Sequence, residues 1–177
     1  MPVSGPFGPV TRNGREGWSR VERYGQEVIE MSSQGQDDRR IVVGVDGSPS
    51  STAALRWAIR QAKLTESVVE AVTAWHLPNS YGFAPIVDDG MDWADDAGKV
   101  LFETLNEVAG EDPDVKILPI VQEGQAAEVL VRAAHGADLL VVGCRGHGGF
   151  ARTLLGSVSQ QCVHHSPCPV LVMRDGT

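Results

Sequence analysis

Two features of this chain could do chemistry together. One is a spaced set of glycines near its C-terminal end, Gly143-x2-Gly146-x9-Gly156-Ser157. The other is an acid, Asp46, which closes the apolar run Ile41-Val42-Val43-Gly44-Val45. The glycine set begins on the last residue of Leu139-Leu140-Val141-Val142-Gly143 and ends where a helix could start. Glycine carries no Cβ, so a ligand can come close to the backbone there. A helix N-terminus adds unpaired N–H groups and a partial positive charge. Together these suit an anion, most often phosphate. The amides of Gly156, Ser157 and Val158 would face it, with the Ser157 hydroxyl as a further donor. Arg145 and His147 could add charge-assisted contacts. The plainer reading of the same glycines is a flexible turn with no ligand. Asp46 also has two readings. It could take hydrogen bonds from ribose hydroxyls or hold a metal beside phosphates, or it could cap the turn that follows it.

Other chemistries fit poorly. There is no G-x-x-x-x-G-K-[ST], hence no phosphate-binding lysine of that type. The dinucleotide fingerprint needs a glycine turn after the first strand, and Asp46-Gly47-Ser48 does not match it. No G-x-S-x-G is present, and no Ser, His and Asp assemble into a triad. Cys162, His164, His165 and Cys168 invite a zinc reading, but Cys-x-His-His-x-x-Cys is not a usual ligand spacing. Packing of Cys162 in a helix and of Cys168 at a strand start accounts for them better. Tyr81 and Phe83 could cover a base, but they read better as ordinary loop anchors.

The elements that must position these groups alternate. The run closed by Asp46 suits a strand buried on both faces. Ser48 is a good N-cap and Pro49 a good first helical residue. Ala54, Trp57, Ala58 and Ala62 then recur at helical spacing. Strands are expected over Val68–Trp75, Val115–Val121, up to Gly143, and from Pro167 to Met173. Between them lie one helix with Trp93, Ala97, Val100, Leu101, Thr104, Leu105 and Val108 on a face, and another with Ala126, Val129, Leu130 and Ala133. A last helix starts near Ser157. Strict alternation predicts an α/β domain with a parallel sheet and right-handed crossovers. Ligands in such sheets bind beyond the C-terminal strand ends, where the strand order reverses. Asp46 and Gly143 share one crevice only if the first and fourth strands are neighbours, which the sequence leaves open.

The chain has 177 residues and a net charge of −8. An acidic chain is a poor non-specific binder of nucleic acid or of anionic membranes. Three cysteines do not form a disulfide framework, and no stretch reaches the about 18 apolar residues of a membrane span. No signal-peptide h-region is visible, so the expected compartment is the cytoplasm. Residues 1–38 are rich in Gly, Pro, Ser and charge and are expected to be a disordered extension, with at most a brief helix between Ser19 and Met31. Met31 is a second candidate start. Residues 39–175 are expected to form one domain.

The residues now resemble the universal stress protein family. The resemblance rests on Val43-Gly44-Val45-Asp46-Gly47-Ser48, on Thr73-Ala74-Trp75, on Gly143-Cys144-Arg145-Gly146 through Gly156-Ser157, and on Val163-His164-His165-Ser166-Pro167-Cys168-Pro169-Val170-Leu171-Val172. It covers about Arg39 to Arg174. The spacing G-2x-G-9x-G-[ST] is that of the family's ATP-binding branch, with Cys144 in place of a more usual small polar residue. The resemblance implies a Rossmann-like open sheet of five parallel strands, order 3-2-1-4-5, with helices on both faces. It implies that Asp46 contacts the ribose and that Gly44 and Ala74 border the ribose and adenine. Val142, Gly143, Arg145 and Gly146 would line the nucleotide. Gly156, Ser157, Val158 and Ser159 would hold the phosphates of ATP, bridged by Mg²⁺ or Mn²⁺. It also implies a homodimer formed by pairing the last strand, Val170, Leu171, Val172 and Met173, with its copy. The expected role is a regulatory binding module in stress response rather than an enzyme. The alternatives are slow ATP hydrolysis, with His147 the only nearby base, a dimer that binds partners without nucleotide, and cyclic AMP as ligand.

Overall fold

The computed structural model describes residues 39–76, 93–108, 114–146 and 154–174. The expectations for residues 1–38, for a start at Met31, for Tyr81 and Phe83, and for His147 lie outside them. In chain order the elements are β1 (Arg40–Gly44), α1 (Pro49–Thr65), β2 (Val68–Trp75), α2 (Trp93–Val108), β3 (Ile117–Glu123), α3 (Ala126–Ala133), β4 (Leu139–Gly143), α4 (Ser157–His165) and β5 (Val170–Met173). The five strands form one parallel sheet in the order β3-β2-β1-β4-β5.

Alternation along each strand builds two cores, because successive side chains point to opposite faces. Ile41, Val43, Val69, Ala71 and Val141 pack against Ala54, Leu55, Ala58 and Ile59 of α1 and Leu101, Leu105 and Val108 of α2. Val42, Val72, Leu140 and Val142 pack on the other face against Val129 and Leu130 of α3 and Cys162 of α4. The helices therefore sit as α1 and α2 on one face and α3 and α4 on the other. Burying both faces of β1 and β4 explains why their sequences are unbroken apolar runs.

Local chemistry sets the element ends. Ser48 caps α1, its hydroxyl accepting from the Ser51 N–H at 3.3 Å, and Pro49 opens the helix. β1 stops at Gly44, two residues before Asp46, so the acid stands on the connection rather than on the strand. β3 runs two residues later than the apolar pattern suggests. The ladder with β2 continues to Ala74↔Gln122 and Trp75↔Glu123, carrying the strand past its last apolar residue. Pro119 fits in β3 because this strand is an edge, where a missing N–H is tolerated.

The opposite end of the sheet is fastened by Arg40. Its Nη1 donates to both carboxylate oxygens of Glu70, at 2.8 and 3.0 Å, and its Nη2 to the His135 carbonyl at 2.6 Å. Glu70 is only 5% exposed. Replacing Arg40 with Met should strand that carboxylate and lower unfolding free energy by about 3 kcal/mol in urea titrations. Adding Glu70→Leu should recover most of the loss, since an apolar pair can replace a buried ion pair. A double variant no more stable than Arg40→Met would show that the stranded charge is not the cause.

Candidate functional site

The chain leaves β1 toward β2 and β3, then returns to the other side of β1 for β4 and β5. A crevice opens beyond the strand ends at that reversal, as open α/β sheets require. Its volume is about 610 Å³. Gly44, Asp46, Ala74, Val142, Gly143, Arg145, Gly146, Gly156, Ser157, Val158 and Ser159 all line it. The adjacency the sequence left open is made by the parallel pairs Ile41↔Leu139, Val42↔Leu140 and Val43↔Val141. Asp46 and the glycine loop meet across it. A Cβ on Gly146 would stand 2.5 Å from Asp46 Oδ2.

Asp46 satisfies its capping reading without leaving the crevice. Its Oδ1 accepts from the Ser48 N–H at 3.0 Å, and its own N–H donates to Ser51 Oγ at 3.3 Å. The other oxygen, Oδ2, faces Gly146. A carboxylate used in this way is fixed in orientation by the turn that it caps.

The three motif glycines do different things. Gly143 lines the crevice, and its missing Cβ has a further use. It admits the first turn of α1. A Cβ there would lie 2.5 Å from Ser50 Oγ and 2.9 Å from both the Ser50 carbonyl carbon and the Ser51 nitrogen. Gly146 makes room for the Asp46 carboxylate. Gly156 has ordinary extended backbone, φ −75° and ψ 167°, and a Cβ would rest 3.5 Å from the Cys144 oxygen in normal contact.

Of the helix starts that face this region, those of α1 and α4 differ. α1 is closed by the Ser48 side chain and by Pro49, which has no N–H. α4 begins at Gly156 with no side-chain cap and no acid in its first turn. Its first internal bond runs from Gln160 N–H to the Gly156 carbonyl at 3.0 Å, so the amides of Ser157, Val158 and Ser159 precede the helical ladder. The positive end of the α4 dipole is therefore open toward the crevice. Ser157 is exposed and Val158 half-buried. Ser159 is buried, and its hydroxyl donates to the carbonyls of Cys144 at 3.1 Å and Gly156 at 2.9 Å. That hydroxyl braces the loop. The Arg145 carbonyl is held by the Ser48 hydroxyl at 3.3 Å and by the Ser50 hydroxyl, while the residue itself is exposed.

The crevice also has lining that sequence reasoning missed. Val45, Val72, Ala126, Leu130 and Leu155 form an apolar part, and Ser51 and Gln160 are polar members. Leu130 carried a signal, its place in the helical apolar register, but that signal reads as core. Cys162, considered as a metal ligand, is packed in the second core, where burial pushes its thiol up to about 11. The neighbouring His164 and His165 are exposed.

Comparison with known proteins gives a consistent result. The model of the universal stress protein family matches residues 38–174. Universal stress protein Rv2623 of Mycobacterium tuberculosis (strain ATCC 25618 / H37Rv) is 34% identical over 152 residues, covering 81% of this chain and 50% of the relative. The chain spans about half the length of the first curated relatives that it matches. Among solved structures, a universal stress protein in complex with cAMP is 31% identical with a TM-score of 0.56, covering 78% of this chain and 98% of that one. UspA from Lactobacillus plantarum, 24% identical with a TM-score of 0.57 over 77% of this chain and 97% of that one, shares the fold.

The unequal glycines make a stability prediction. Gly143→Ala should force β4 and α1 apart and cost about 1–3 kcal/mol in thermal or urea unfolding. Gly156→Ala should stay within about 0.5 kcal/mol of the parent. Equal losses at the two positions would contradict this division of roles.

Proposed function

The chain belongs to the universal stress protein family, and from that premise we propose that it binds an adenine nucleotide, ATP, in the crevice between β1 and β4. The observation that carries the reading is the open start of α4 set across from Asp46, with Gly146 between them. The solved relative whose complex contains cAMP supports an adenine-nucleotide ligand.

In this reading Asp46 takes the ribose hydroxyls. Gly44 and Ala74 border the ribose and adenine, and the base rests against the apolar part that includes Val72, Leu130 and Val142. Val142, Gly143, Arg145 and Gly146 line the nucleotide. Gly156, Ser157, Val158 and Ser159 form the phosphate end, with the Ser157 and Val158 amides as donors and Ser159 holding the loop in shape. A Mg²⁺ or Mn²⁺ ion would be held by the phosphates of ATP rather than by a protein cage, and would offset their charge.

The nucleotide acts here as a signal and the protein as a regulatory module in the cytoplasm. The route from site to surface is short. Cys144 donates its N–H to the Met173 carbonyl at 2.6 Å, and its own carbonyl accepts from the Gly156 N–H at 2.7 Å. One residue thus joins the start of α4 to the end of β5. β5 is a sheet edge whose outer side pairs with no strand among the described residues, a template for a second strand. Pairing of Val170–Met173 with a second copy gives the homodimer.

Two measurements test the reading. Denatured, purified protein should release an adenine nucleotide on chromatography, and calorimetry should show binding of ATP with Mg²⁺. Gly146→Val, which drives a side chain into Asp46, should weaken binding by at least about 100-fold, because it displaces the carboxylate proposed to take the ribose and crowds the loop beside it. No heat of binding at millimolar ATP with Mg²⁺, or full binding by Gly146→Val, would refute it.

A further inference from the structure

The first turn of α1 carries a group of buried hydroxyls that the proposed nucleotide contacts do not use. Ser48 is 4% exposed and Ser50 is 3% exposed. Both hydroxyls donate to one acceptor, the Arg145 carbonyl, almost a hundred residues away in sequence. Their own oxygens stand 3.4 Å apart, so the two donors and the carbonyl form a tight cluster. The close packing of Gly143 on Ser50 brings the helix near enough for this.

Holding that carbonyl fixes more than the carbonyl. The structure has no cis peptide among its described residues, so the Arg145–Gly146 bond is trans. In a trans peptide the C=O and the following N–H point in opposite directions. With the Arg145 oxygen turned to α1, the Gly146 N–H is turned away from it. The Gly146 nitrogen lies on the α4 side of the loop, 3.9 Å from where a Cβ of Gly156 would be. No acceptor among the described residues takes this N–H. A peptide next to glycine would otherwise turn over easily, since Gly146 has no Cβ to oppose either sign of φ.

We infer that Ser50, backed by Ser48, is a positioning residue for phosphate. It holds the Arg145–Gly146 peptide in the one orientation that adds the Gly146 N–H to the amides at the start of α4. The inference rests on the nucleotide reading above, and it assigns the serine turn of α1 a part in affinity for the phosphate and none in affinity for the nucleoside. It also divides the work between the starts of α1 and α4. α4 supplies donors, while α1 supplies none to the ligand and instead aims a donor from the loop between them.

The test compares AMP with adenosine, since both offer base and ribose but only AMP offers phosphate. In Ser50→Ala, AMP affinity by calorimetry should fall about tenfold, the loss expected when one charge-assisted hydrogen bond is misaligned. Adenosine affinity should stay within about twofold. A general loosening of the site would weaken both ligands equally, and that result would overturn the inference. An unchanged AMP affinity would overturn it as well. A second measurement needs no variant. In the ¹⁵N-labelled parent protein the Gly146 amide resonance should move on adding AMP and stay in place on adding adenosine. A Gly146 amide indifferent to AMP would refute the inference even if Ser50→Ala did not fold. Failure of the parent protein to bind either compound is a distinct result, which removes the nucleotide reading itself.

Discussion

The parallel pairing of β1 with β4 is the constraint on which everything else depends. Three register pairs, from Ile41↔Leu139 to Val43↔Val141, join segments almost a hundred residues apart. They place Gly44 and Gly143 at the same end of the sheet. The chain departs to opposite sides from these two strands, so among the described residues no element covers the gap between them. The crevice is thus a consequence of strand order. Its contents are what the two connections happen to deliver there: Asp46 and the serine turn from one, and the glycine loop from the other.

The proposed phosphate end works without a positive side chain. A helix start without a cap is a fixed array of donors that needs no lysine and no arginine, which reconciles an anion site with a chain of net charge −8. The carboxylate at the crevice, Asp46, is tied to the turn that it caps. Cys162 lies in the core with its thiol pushed up to about 11, which keeps it protonated. What the described residues offer is orientation and hydrogen bonding. The backbone of Cys144 then links that array to the last strand, so loop geometry and the β5 edge are neighbours in the hydrogen-bond network.

Much of this was legible in the sequence, and the part that was not has a common cause. Ser48-Pro49 announced the start of α1, and the apolar runs placed β1, β2 and β4, because caps and periodicity are local. Residue spacing alone could not give strand order, which is a property of distant pairings; it came through likeness to a family. The glycine spacing pointed to the crevice but not to the second task of Gly143. From sequence, a glycine beside a ligand looks the same as one beside a neighbouring helix, and only the position of Ser50 shows that Gly143 also makes room for α1. The bracing of the loop carbonyls by the Ser159 hydroxyl was not visible in the sequence either, since one of its partners is distant along the chain. Leu130 lines the crevice, and periodicity could say only that it faced inward. The end of β3 moved because pairing with β2 outlasts the apolar pattern.

The most direct test of the account is a crystal structure of the protein grown with ATP and Mg²⁺. The account predicts a phosphate group within hydrogen-bond distance of the Ser157 and Val158 amides, the ribose hydroxyls on Asp46, and adenine between Ala74 and Leu130. A nucleotide whose phosphates lie away from the start of α4, or whose ribose does not reach Asp46, would contradict it.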